Sequence, residues 1–333
     1  DMNTASNAYQ DQAVDFDGGA NAPTTQDVSA TLTNVLDNTP PEISVPSIGS
    51  SAMLTELSIS QWTGRKKDRK ASKEVTADNN AASGVASVNK KLMGDWDTLD
   101  ALHKMTGNIR NMHYSMTMPW SDTGQRLLPT QQYFKYNKEM TAMQSKWEDL
   151  ARLCMREYEW EISNAQTKLG DFFHRDEYPS VSALTNKFSF RLSYIPLADD
   201  FRTNVGKEGN EQIKSHYQEY YSRQLTNAMG DIWTRVHKVL VSMSERLDYA
   251  SNETKKVFRD TLVDNVIDMI DLMNVCNITN DAQMSEIAKQ LDNALRGVTP
   301  DALRDDDYLR AETKRKVDLA IAQLPSLSID MTL

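Results

Sequence analysis

From Tyr133 to Phe172 the apolar side chains fall three or four residues apart, and this pattern restricts the fold more than any other in the chain. Tyr133, Tyr136, Met140, Met143, Trp147, Leu150 and Cys154 alternate steps of three and four. That spacing lays one stripe along a helix, the repeat of a coiled-coil seam. Two successive steps of four, to Tyr158 and Ile162, make a stutter that locally unwinds a supercoil. Ala165, Leu169 and Phe172 then restore the alternation. The spacing predicts a helix over about 130–172, opened by Pro129 and a Thr130 cap in LPTQQ.

The same period recurs. Tyr217, Tyr221, Leu225, Met229, Ile232, Val236, Leu240, Met243, Leu247 and Ala250 predict a second long helix over about 207–250. Phe258, Leu262, Val266, Ile270 and Met273 predict a third over 253–276. A further helix is expected between about Gly94 and Met116. Two more are expected in ITNDAQMSEIAKQLDNALRG and TPDALRDDDYLRAETKRKVDLAIAQL. Gly297 ends the first of these; Thr299 caps the second, with Pro300 in its first turn.

Two segments alternate instead. Leu54, Glu56, Leu57, Ile59, Gln61 and Trp62 read as a strand ending in a Thr63-Gly64 turn. In KFSFRLSYIPL, Phe188, Phe190, Leu192 and Tyr194 alternate with Lys187, Ser189, Arg191 and Ser193 until Pro196 closes the strand. Each shows one apolar face, so the two are expected to pair, with Trp62 buried near Phe188, Phe190 or Leu192. The expected fold is mainly α: long antiparallel helices, bundle- or coiled-coil-like, with a small two-stranded sheet and an extended N-terminal arm.

That arm, residues 1–52, is rich in Asn, Asp, Thr, Ser, Ala, Gly and Pro and sparse in aromatics. Such a composition does not offset its own ordering entropy. A neighbouring subunit is the expected support. Residues 53–250 then form a strand-helix-strand-helix core, and 251–333 a helical region packed on it. The chain begins at Asp1, which points to a longer precursor, a processing cut or trimming. Neither a secretory signal nor an apolar run of about 20 residues is expected to direct it to a membrane. Cys154 and Cys276 sit inside apolar helical patterns, which suits a reducing compartment.

Signatures of chemistry are weak. His103, His113, His174, His216 and His237 form no H-x-x-x-H, and the two cysteines no C-x-x-C, so no metal or other cofactor is expected. HRD at 174–176 is similar to a kinase catalytic loop but lacks its asparagine, its glycine-rich loop and D-F-G. Asp305, Asp306 and Asp307, like Asp199 and Asp200, read as solvated carboxylates. In MHYSMTMPW, Met112, Met116, Met118 and Trp120 read as core filling at a helix end, ahead of an adaptable groove. The chain is read as non-enzymatic.

One stretch breaks the acidic character of a chain with net charge −10. In QWTGRKKDRKASK the cations Arg65, Lys66, Lys67, Arg69, Lys70 and Lys73 follow Trp62 and Gly64, with only Asp68 among them. The first reading is an exposed turn and helix start. Docking on an acidic protein surface comes second. Nucleic acid comes last, because no exposed aromatics interleave with the cations.

Leu57, Ile59, Trp62, Thr63, Gly64, Arg65, Lys66 and Lys67 make an L-x-I-x-x-W-T-G-R-K-K strand. After a helical region, Phe188, Phe190 and Pro196 make an F-x-F-x-x-x-x-x-P strand. Together they resemble a family of uncharacterised proteins from tailed bacteriophages and bacteria, over residues 53 to about 250. That family has no assigned activity, so the resemblance carries over no catalytic residue. Its genes often neighbour MoxR-type or cobalt-chelatase-like AAA+ ATPases, which implies such an ATPase as a partner. The acidic arm is not part of the family's pattern.

Three functions follow as expectations. The first is a bacteriophage protein that self-assembles as a homo-oligomer with arm exchange, in the host cytoplasm or the virion. The second is an adaptor or regulator of an AAA+ ATPase, and the third a nucleic-acid-binding accessory factor.

Overall fold

The computed structural model describes residues 49–197, 206–249 and 261–325. The expected arm lies outside them up to residue 48, as do residues 253–260 of the expected third helix and the Asp199–Asp200 pair. The chain is mostly helical with a small antiparallel sheet. In order it forms β1 (Ala52–Ser60), β2 (Arg65–Asp68), α1 (Arg69–Asp78), β3 (Val88–Lys91), α2 (Asp97–Met116), β4 (Met118–Pro119) and β5 (Gln125–Pro129). The long helix α3 (Tyr133–Leu169) follows, then α4 (Val181–Thr185), β6 (Ser189–Pro196) and α5 (Gly206–Leu247). The last helices are α6 (Thr261–Cys276), α7 (Ala282–Leu295), α8 (Pro300–Asp305) and α9 (Asp307–Ala322).

The two expected strands pair as β1 and β6, in antiparallel register Leu54↔Ile195, Leu57↔Leu192 and Ile59↔Phe190. The sheet is larger than expected. It has four strands in the order β4-β5-β1-β6, and β2 and β3 make a separate two-stranded ribbon. The Pro129 segment is therefore the end of β5, paired with Ala52, rather than the opening of a helix. Thr130 caps nothing: its hydroxyl donates to the Ser51 carbonyl at 3.1 Å, and a 3-10 turn over Thr130–Gln132 leads into α3.

Strand side chains alternate between faces, and here both faces are covered where β1 begins. Ala52 and Leu54, with Leu127 opposite, enter one core with Met118, Trp120 and Leu197. Helices α5 to α9 complete it, through Ile232, Leu240, Val266, Ile287, Leu303 and Val317. Met53, Leu57 and Ile59, with Leu128, Phe190, Leu192 and Tyr194, face the other core. There α2 and α3 supply Leu102, Ile109, Tyr136, Met140, Trp147 and Tyr158. The sheet is thus a wall between two apolar cores. Most of the stripe that predicts α3 is what it buries: Tyr136, Met140, Trp147, Cys154, Tyr158, Ile162 and Ala165 are buried and Tyr133, Met143, Leu150 and Leu169 half-buried, while Phe172 lies past the helix end in a 3-10 turn and is exposed.

The final segment is two helices, not one. Asp306 (φ −109°, ψ 103°, extended) breaks the run, accepting at one carboxylate oxygen from the backbone N–H groups of Tyr308 and Leu309.

An extended residue at this point ends α8 and lets the Asp306 side chain cap α9. Thr299 caps α8 as expected, its hydroxyl accepting from the Ala302 N–H at 3.2 Å, with Pro300 at the first position. No described helix is long and apolar enough to cross a membrane.

Candidate functional site

The cationic stretch begins where Gly64 turns the chain out of the sheet region. Gly64 has φ +63°, and a Cβ there would lie 2.9 Å from Leu99 Cδ2, so the position needs glycine on two counts. Just before it, Trp62 is buried, with its ring edge-on to Tyr158 at 5.6 Å and its carbonyl 2.9 Å from His103 Nε2. Phe188 and Phe190 belong to the same core, but their ring partner is Trp147, at 6.5 and 5.8 Å. The expected burial of Trp62 therefore holds, with Tyr158 as its ring neighbour. Pro196 ends β6 opposite Met53.

After Gly64 the cations do not form a turn. Arg65, Lys66 and Lys67 lie on β2, and only from Arg69 does the chain become helical. The Gly64 carbonyl accepts from the Leu92 N–H at 2.8 Å, which starts the ribbon with β3. Its register sets Arg65 opposite Lys91, Lys66 opposite Lys90 and Lys67 opposite Asn89. Like charges directly opposite one another destabilise a strand pair.

The two faces of the ribbon differ. Lys66 and Lys90 share the face that turns toward Glu177, at 3.7 and 2.5 Å. Lys90 also donates to the Phe172 carbonyl at 2.8 Å. Arg65, Lys67, Asn89 and Lys91 share the other face and are all exposed. There Lys91 has Asp95 at 3.6 Å, on an exposed pair. Among the described residues no carboxylate lies within 4.0 Å of the cationic groups of Arg65, Lys67, Arg69, Lys70 or Lys73.

Helix α1 continues the platform. Asp68 caps it, accepting from the Ala71 N–H at 3.0 Å, so the one acid in the run is committed to the backbone. Arg69 and Lys70 occupy the first turn, where the helix dipole opposes positive charge, and Lys73 lies one turn on. Ser72 accepts from the Val88 N–H at 2.9 Å and so ties the helix to β3. Tyr178 closes the base by donating to the Leu92 carbonyl. The result is a hydrogen-bonded mount for exposed cations.

Other candidates are structural. His113 is buried, with Nδ1 2.7 Å from the Tyr136 hydroxyl; burial, then the nearby Arg126, lowers its pKa to about 4. Burial pushes the Cys154 and Cys276 thiols up to about 12, which leaves them protonated and poorly nucleophilic. His174 precedes a short 3-10 turn over Arg175–Glu177, whose Glu177 serves the ribbon. Met118 and Trp120 are core residues, as expected. Met112 and Met116 are core residues too, and they also form the floor of an open groove of about 860 Å³ with Lys135, Glu139, Lys238 and Asp268. Among the described residues, no group of three His, Cys, Asp or Glu side chains is placed to hold a metal ion.

The ribbon itself was hidden from sequence reasoning. Its second strand, VNKK, is short and polar, and only the charge run on β2 signalled the site. Comparison of the chain with protein-family models, curated proteins and solved structures gave no match.

Proposed function

We propose that this protein acts by binding rather than by catalysis, as a self-assembling structural or scaffold protein. The bacteriophage origin implied by the W-T-G-R-K-K resemblance is part of the proposal. So are the extended N-terminal arm and its exchange between copies. One observation carries the reading: an exposed platform of like charges, several without a carboxylate beside them, on a chain of net charge −10. Such a platform favours an anionic protein surface, and another copy of this acidic chain supplies one.

The test is light scattering on the full chain and on a chain lacking residues 1–48. The cut belongs before Gly49, because Ala52 is already paired in β1 and the Ser51 carbonyl holds Thr130. The full chain should form an oligomer at micromolar concentration. The shortened chain should assemble more weakly while keeping its helical circular-dichroism signal. A full-length monomer, or assembly unchanged by the deletion, would contradict the proposal.

A further inference from the structure

We infer that the cationic platform of one copy receives the acidic segment 1–48 of another. This rests on the proposed self-assembly and names the surface that would accept the arm.

The cations of the platform are set against one another. Arg65 faces Lys91 across the ribbon, and Arg69, Lys70 and Lys73 crowd the start of α1. Each arrangement costs stability in isolation. An anion laid against these cations would relieve such repulsion.

The chain carries a matching anion. Residues 1–48 hold seven acidic side chains and no Lys, Arg or His. Asp11, Asp15, Asp17, Asp27, Asp37 and Glu42 are spread along it, among small and polar residues suited to lying over a surface. By contrast, Lys and Arg outnumber acids over 49–197. Donor and acceptor are therefore segregated within one sequence, and each copy can offer both. A contact of this head-to-tail kind builds rings or filaments. Reach is not limiting, since 48 extended residues span up to about 160 Å.

Nucleic acid fits less well. The exposed apolar residues nearest the cations in sequence are Val75 and Val85, and the exposed Phe172 is tied to Lys90, on the ribbon face opposite Arg65 and Lys67, so no row of rings accompanies those cations for successive bases to stack on. The net charge of −10 also repels a phosphate backbone at long range.

Full-length chains labelled with heavy nitrogen, mixed with unlabelled ones, allow a direct test. Carbodiimide coupling should join acids of residues 11–42 to Lys67, Lys70 or Lys73 in heavy–light pairs. Charge reversal supplies the second arm. Lys67→Glu, Lys70→Glu and Lys73→Glu together should raise the dissociation constant of the oligomer at least tenfold at about 0.15 M salt. Mixing that variant with one carrying Asp11→Lys, Asp15→Lys and Asp17→Lys should restore association. Circular dichroism checks that both variants fold.

An oligomer without these couplings would overturn the inference and leave self-assembly standing. Couplings confined to light–light and heavy–heavy pairs would place the segment on its own chain and overturn the exchange. A full-length monomer would remove self-assembly itself. Sub-micromolar binding of a single-stranded 20-mer at the same salt, with loss of the couplings, would assign the platform to nucleic acid and overturn the inference too.

Discussion

Trp62 fills the space between β1 and α3, where its ring meets Tyr158, and the chain must turn sharply at Gly64 immediately afterwards. Trp62→Ala should cost roughly 3–5 kcal/mol in a denaturant titration, the usual penalty for emptying an aromatic site. A loss within about 0.5 kcal/mol would show that the ring is not core. His113 makes a pH-dependent contribution. Its folded pKa, about 4, lies below the unfolded value near 6.5, so the unfolded chain binds more protons between them. Stability from this residue is therefore present above about pH 6.5 and lost as pH falls toward 4, on the order of 3 kcal/mol in all. His113→Gln should flatten that part of the stability profile. An unchanged slope in the variant would assign the effect to other groups.

Among the elements, Asp306 shows why one boundary escaped the sequence pattern. RDDDYLR offers three adjacent aspartates, each a residue type that caps helices, and only the backbone geometry reveals that Asp306 is the one that does. Asp306→Ala should cost about 1 kcal/mol, and Asp305→Ala should stay within about 0.5, as measured by thermal or chemical unfolding. The long helices were legible because their period of 3.6 matches the stripe they bury, as along α3. Strand β5 was not, because QRLLP is short and Leu127 and Leu128 face different cores, which erases the alternation. The site was half legible. A charge run is visible in any sequence, but Arg65–Lys67 have poor strand propensity, and their pairing with VNKK joins residues of like charge.

In the molecule as a whole, an acidic chain carries a basic platform, and we propose the pair as a means of assembly. Electrostatic contacts at an exposed surface weaken as salt shortens the range of charge, to about 3 Å at 1 M. Apolar burial in the two cores does not weaken in that way, so added salt should separate assembly from folding. The most direct measurement is the molar mass of the full chain by light scattering at micromolar concentration, from about 0.05 to 1 M salt. The expected result is a multiple of 37.7 kDa at low salt that falls toward 37.7 kDa at high salt, with the helical signal unchanged. A mass of 37.7 kDa at every salt concentration would contradict it.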